Sequence, residues 1–240
     1  MDAAGGAGRP GGAAPYSRGE ASTLGGGDGL AARREGELRA AAARLGLAGV
    51  VLAGYRDGTL AAVPPADLAA TVAAQLGDAD AVVVMEPSGV TGHPDHVAAA
   101  AAEAVAADAG LPVIEWGVAA PVAAVLAAEL GVRLHPFGRP GAWPAELAVD
   151  RDRHRQAIAC DVSQQPGNPL LRRRLELQGG RELVRLRPAA DRRAAGPAGG
   201  GYHFAGWEIH RAADATGCCT VSVHLLAAPG SHPRQHCREP

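Results

Sequence analysis

Lysine is absent from this chain, so its 23 cationic side chains are all arginine; against 25 Asp and Glu they leave a formal net charge of −2. A balance this close to neutral excludes a broad polyanion-binding surface, and no nucleic-acid partner is expected. Aromatic residues are scarce, with three Trp, three Tyr and two Phe in 240 residues. Ala, Val and Leu carry the apolar content instead. No apolar run approaches the roughly 20 residues that span a bilayer, and the N-terminus has no apolar signal core. A cytoplasmic protein with no membrane partner is therefore expected. The four cysteines form no disulfide framework: Cys160 stands alone, and Cys218, Cys219 and Cys237, read with His224, His232 and His236, match no CxxC zinc spacing.

What is present divides the chain into three parts. Residues 1–15, MDAAGGAGRPGGAAP, are small and aperiodic and read as a disordered leader. Residues 16–187 alternate between apolar runs and helical patterns. LAARREGELRAAAARLG (30–46) pairs Glu35 with Arg39 at i,i+4 and stops at Gly46, which predicts a helix. PPADLAATVAAQLG (64–77), the Ala-rich stretch 95–109, APVAAVLAAELG (120–131), DRHRQAIACDVSQ (152–164) and NPLLRRRLELQ (168–178) predict five more. VVLAG (50–54), AVVVM (81–85), PVIEW (112–116), ELAVD (146–150) and RELVRLR (181–187) read as strands, AVVVM as one covered on both faces. This alternation predicts an α/β fold, a Rossmann-like three-layer sandwich with a mostly parallel sheet. Arg172, Arg173 and Arg174 read as a solvated helix face. Residues 188–240 hold no sustained period and read as a low-complexity or weakly ordered tail.

The chemistry concentrates in GVTGHPDH (89–96), between a strand and a helix. In open α/β sheets ligands bind beyond the carboxyl ends of the strands, where this loop falls. Pro94 suits the first helical position, which puts His93 at the cap. His93 and His96 then share one side of the helix start, and Asp95 stands where it can fix a histidine tautomer. One imidazole binding a divalent metal and another stabilising charge on a carbonyl would suit hydrolysis. The alternative is a well-capped turn whose histidines are satisfied by hydrogen bonds.

PSGVTGHPDH resembles the downstream signature of the PIG-L/LmbE family of zinc-dependent N-acetylglucosamine deacetylases. The resemblance extends, in the family's order, to RGEAS (18–22), ARREGELRAAAARLG (32–46), GYRDG (54–58) and QAIACDVSQ (156–164), about residues 16–187 in all. It implies His96 as a ligand of one zinc ion per chain and His93 as the group that stabilises the oxyanion and assists the leaving amine. Asp95 would orient a histidine, and Arg34, Asp57 and Glu20 would face the sugar of a small-molecule amino-sugar substrate. For Arg34 a solvated helix residue, and for Asp57 a turn aspartate, is the competing reading.

The family's opening strand, which ends in a sequence like AHPDDE, has no counterpart in this chain. That motif supplies two of three protein zinc ligands and the general base. A strand, a helix and the next strand are therefore expected to be missing, and the sheet to carry exposed edges. With His96 alone the zinc would be held weakly or not at all. Loss of the base alone costs a factor of about 10² to 10⁴. Because the downstream motifs look intact, a truncated hydrolase is favoured over a relic; a catalytically inert sugar-binding homologue or a fragment that does not fold is the alternative.

Overall fold

A computed structural model describes residues 11–22, 24, 27–77, 79, 81–108, 110–137, 145–165, 168–187, 202–204, 207–213 and 219–225. In chain order the elements are β1 (Gly12–Ala13), α1 (Leu30–Leu45), β2 (Gly49–Val50), α2 (Pro65–Leu76), β3 (Val82–Met85), α3 (Pro94–Asp108), β4 (Val113–Ala119) and α4 (Ala120–Leu130). There follow β5 (Pro136–Phe137), β6 (Ala145–Ala148), α5 (Arg151–Ile158), α6 (Pro169–Gln178), β7 (Arg181–Arg187), β8 (Tyr202–Phe204), β9 (Trp207–Ala213) and β10 (Cys219–Leu225). The α/β fold is as expected.

The helix boundaries follow from their caps. Gly46, left-handed at φ 73°, ends α1, and the Gly46 and Leu47 amides return to the carbonyls of Ala43 and Ala42. These two hydrogen bonds satisfy carbonyls that the helix end would otherwise orphan. Pro65 opens α2, and Asp150 caps α5 by accepting from the amides of Asp152 and Arg153. The helix expected over 152–164 ends early, at Ile158. Glu37 of α1 accepts from the Ser163 amide at 2.9 Å and from its hydroxyl at 2.6 Å. A side chain from another helix thus takes the donor that a continuing helix would aim at its own carbonyl.

The described strands form two sheets: β1 with β2, and a larger one in the order β3-β4-β7-β6-β10-β9-β8, with β5 also on β4. The larger sheet is mixed rather than mostly parallel. β3 and β4 run parallel, as do β6 and β10, but β7 is antiparallel to both β4 and β6. The strand pair β4 and β7 is joined by side chains as well as backbone. Trp116 Nε1 donates to Glu182 Oε2 at 2.8 Å, and the buried Glu115 meets Arg185 and Arg187.

Four other expectations change. Residues 11–15 are not a free leader: the carbonyls of Gly11, Ala13 and Pro15 accept from the amides of Ala48, Val51 and Ala53; residues 1–10 lie outside the described ones. The tail contributes three strands to the larger sheet, β8, β9 and β10, while Cys218, Cys237, His232 and His236 lie outside the described residues. Val83, in the middle of a strand expected to be covered on both faces, is 66% exposed, and in the described sheet β3 has β4 alone as neighbour. The arginine run is not uniformly solvated. Arg174 is buried, lies 4.8 Å over the Trp116 ring and reaches Glu182 at 3.3 Å, while Arg173 pairs with Glu129.

The main apolar core lies between α2 and α3, where Leu68, Ala69 and Val72 meet Ala102 and Ala106 under Tyr16 and Leu60. Tyr16 is tied in by its hydroxyl, which donates to the Leu68 carbonyl at 3.1 Å. α1 packs on α5 and α4 on α6.

Candidate functional site

The loop after β3 is built around Glu86. Its carboxylate accepts from the Ser88 amide at 3.1 Å, the Val90 amide at 2.9 Å and the Ser88 hydroxyl. Gly89, Val90 and Gly92 all take positive φ, of 65°, 64° and 72°. For a β-branched residue such as Val90 this conformation is strained by about 1–3 kcal/mol. It is held because Val90 is buried against Val118 and Ala123 and its carbonyl accepts from the His135 amide at 2.8 Å. Sequence reasoning missed Glu86; its signal was an acidic residue directly after an apolar strand.

Pro94 opens α3 as expected, and the His93 carbonyl takes the first helical bond, from Val97 at 3.1 Å. The imidazoles of His93 and His96 lie side by side, centroids 5.2 Å apart and tilted by 48°. His93 Nδ1 is 3.2 Å from the Asp95 amide, which can only donate, so that nitrogen accepts and Nε2 carries the proton in the neutral ring. His96 Nδ1 is 3.3 Å from the Gly89 carbonyl and from Thr91 Oγ1. Donation from Nδ1 to the carbonyl leaves the Nε2 lone pair free, the arrangement a metal-binding histidine uses.

Asp95 does not orient a histidine through its carboxylate. Its two oxygens accept from the amides of Gly58 at 2.7 Å and Leu60 at 3.0 Å, and the side chain is buried. It clamps the 58–60 turn onto the start of α3. Position beside the histidines is visible in sequence; two amides arriving from more than thirty residues upstream are not.

The sugar-facing candidates also spend their polar atoms on the fold. Arg34 is buried, and its guanidinium donates to the carbonyls of Gly19 and of Leu24, the latter at 3.0 Å. Asp57 accepts from the Ser17 hydroxyl at 3.2 Å and the Ala21 amide at 2.9 Å, and Glu20 accepts from the Asp57 amide at 3.0 Å. Burial pushes the Glu20 carboxyl upward, but the backbone amides of Asp57, Glu20 and Arg18 outweigh it and hold the group below the ordinary value. Together these side chains brace residues 17–21 and Leu24 against α1 and the 55–58 turn.

A cleft of about 560 Å³ brings Arg34, Asp57, His93, Asp95 and His96 together and leaves Glu20 outside its lining. Its walls are the 15–19 segment, α1, α3 and the α5 region, which adds His154 and Asp161. Glu103, two turns along α3 from His96, also lines it, and burial pushes its carboxyl up to about 7. His154 and Glu103 were not expected; each sits at helical spacing from residues that face the cleft.

The geometry of this loop and cleft coincides with a family match. Residues 4–107 match the PIG-L family, GlcNAc-PI de-N-acetylase. The resemblance read from the sequence is thereby borne out over that stretch. Two solved structures share the fold. The A40926 pseudoaglycone deacetylase Dbv21 is 18% identical, with TM-score 0.50, covering 75% of this chain and 86% of that one. The conserved protein TT1542 from Thermus thermophilus is 22% identical, with TM-score 0.51, covering 74% and 80%. No curated protein matches the chain.

A PIG-L-like site implies a zinc ion, and the donor set decides whether one fits here. Of the two loop histidines, His96 is the one with a free nitrogen lone pair. Among the described residues no group of three His, Cys, Asp or Glu side chains gathers as a metal ion needs. The set therefore does not fit a zinc centre. No described helix is long and apolar enough to cross a membrane.

Proposed function

We propose that this chain is a hydrolase of the PIG-L deacetylase type, whose cleft takes an N-acylated glucosamine carried on a small molecule. The observation that supports this reading is the gathering of His93 and His96 with Ser17, Arg18, Arg34 and Asp57 around one cleft. Its volume lies in the range of small-molecule sites.

The chain's own residues do the following in this reading. His93, its Nδ1 occupied by the Asp95 amide, donates an Nε2–H hydrogen bond, without losing the proton, to the acyl oxygen as a water oxygen adds to the carbonyl carbon; the C–N bond then breaks and the proton given up by the water leaves on the amine. His96 presents Nε2 to the same space. Asp95 acts as a positioning residue, since its carboxylate fixes the turn against which α3 begins. No step is routed through a metal, because the described donors do not form its site.

That misfit favours a second reading, a catalytically inert amino-sugar binder. Zinc content of the purified chain and of His96→Ala, measured with binding and hydrolysis of N-acetylglucosamine, separates the two. About one zinc per chain, lost in the variant together with hydrolysis, supports the hydrolase. Sugar binding without zinc or hydrolysis supports the inert binder. Neither zinc nor binding at millimolar sugar would remove both.

A further inference from the structure

In the wall of the cleft contributed by α5, one histidine is held by a buried cation. Arg151, at the first position of α5, is 8% exposed. It donates through Nε to the Gly179 carbonyl at 2.5 Å, through one terminal nitrogen to the Arg181 carbonyl at 2.8 Å, and through the other to Glu182 at 2.5 Å. Glu182 is fixed in turn by Trp116, Gln178 and Arg174. All three guanidinium nitrogens are therefore engaged, and the nitrogen that meets Glu182 also lies 2.8 Å from His154 Nδ1.

A guanidinium has donors only. The bond to His154 thus requires a lone pair on Nδ1, which excludes the imidazolium and leaves the neutral ring protonated at Nε2. The surroundings agree: burial lowers the His154 pKa, and the Arg151 and Arg174 charges lower it further against an opposing contribution from Glu182. His154 lines the same cleft as His93 and His96, and no described residue accepts from its Nε2. The result is an oriented donor in the cleft with no acceptor supplied by the described fold.

We propose that His154 is a substrate-contacting hydrogen-bond donor, its tautomer set by Arg151, and that it recognises an uncharged oxygen, a sugar hydroxyl or an amide carbonyl. Arg151 is the positioning residue that acts through it. The ligand's identity as an amino sugar rests on the function proposed above; the tautomer does not.

The test uses the full chain labelled with ¹⁵N-histidine. At pH 7 the His154 signals, assigned by their loss in His154→Gln, are expected to show an unprotonated Nδ1 and a protonated Nε2. On addition of N-acetylglucosamine they are expected to move. His154→Phe should bind this sugar about tenfold more weakly, while His154→Gln, whose amide reaches the place of Nε2, should stay within about threefold. Thermal melts of both variants check that the fold is retained. An Nδ1-protonated ring or an imidazolium at pH 7 would overturn the tautomer and with it the proposal. Sugar-induced movement of His93 and His96 without His154 would overturn the proposal and leave the cleft reading standing. If no histidine responds to the sugar, the proposed function fails and the ligand role of His154 falls with it.

Discussion

Replacing Gly89 with alanine tests how the histidine loop is held. A β-carbon at Gly89 would stand 2.5 Å from the His96 β-carbon, 2.8 Å from the His96 carbonyl carbon and 2.9 Å from the Val97 nitrogen. Two of these three atoms are backbone, so no rotamer change relieves the overlap. Residue 89 also has φ of 65°, which costs an alanine about 1 kcal/mol. Overpacking adds about 1–3 kcal/mol. The sum is about 2–4 kcal/mol, or a fall in Tm of about 5–15 °C for a chain of this size. Gly131→Ala provides the control: φ there is 66°, but nothing lies within 4 Å of the added carbon. It should lose about 1 kcal/mol at most. Urea and thermal unfolding followed by circular dichroism measure both. Gly89→Ala within about 0.5 kcal/mol of Gly131→Ala would refute the claim that close approach to His96 fixes the loop. The His96 imidazole resonances offer a second readout, since the clash is relieved only by displacing the first turn of α3.

Three further perturbations follow from the same contacts. Asp95→Ala strands two backbone amides that now donate to the carboxylate, and should cost about 2–4 kcal/mol in urea unfolding; Asp95→Asn keeps one accepting oxygen and should lose less, so equal losses would contradict the clamp. Glu103 has its folded pKa raised to about 7 by burial, so the folded state binds more protons than the unfolded one between its ordinary value and about 7. Stability should therefore fall as pH rises through that window. Glu103→Gln should be more stable than the parent at pH 8 by roughly 1–3 kcal/mol and nearly equal to it at pH 4.5; the same difference at both pH values would refute the assignment. Val83→Lys charges an apolar position that is 66% exposed on a strand with one described neighbour, and should reduce light scattering at high concentration without lowering Tm.

The elements read correctly from sequence are those whose cause is local. α1 is announced by its ion pair and by Gly46, α2 and α3 by their prolines, and β3 and β4 by continuous apolar runs. What escaped depends on distant partners. RELVRLR was recognisable as a strand, but its antiparallel placement between β4 and β6 rests on Glu182 meeting Trp116 and Arg185 meeting Glu115, pairings between residues about seventy positions apart. The strands of the tail follow a Gly- and Ala-rich stretch that obscures any period, and strand formation there depends on neighbours more than on propensity. The site divides the same way. The spacing of His93 and His96 was legible and their rings are neighbours, whereas Arg34 and Asp57 could be named but not assigned to loop bracing. Arg174 looked like one member of a solvated triplet because nothing local marks the buried Glu182 that holds it.

The order of the histidine loop is not by itself a sign of chemistry. Glu86 fixes the turn through three acceptor contacts, Val90 is held in its strained conformation by burial and by the His135 amide, and Asp95 ties α3 to the 58–60 turn. None of these contacts involves a metal or a substrate. The loop can therefore keep both imidazoles in place whether or not a full set of zinc ligands exists, and intact GHPDH residues are compatible with an inert protein as well as an active one. Discrimination between them lies in what the fold does not require: the Nε2 atoms of His93, His96 and His154, to which no described residue is hydrogen-bonded. If these nitrogens respond to N-acetylglucosamine while replacement of Glu86 or Asp95 chiefly lowers stability, the carboxylates belong to the scaffold and the imidazoles to the ligand. A response confined to the carboxylate variants would assign the whole loop to structure.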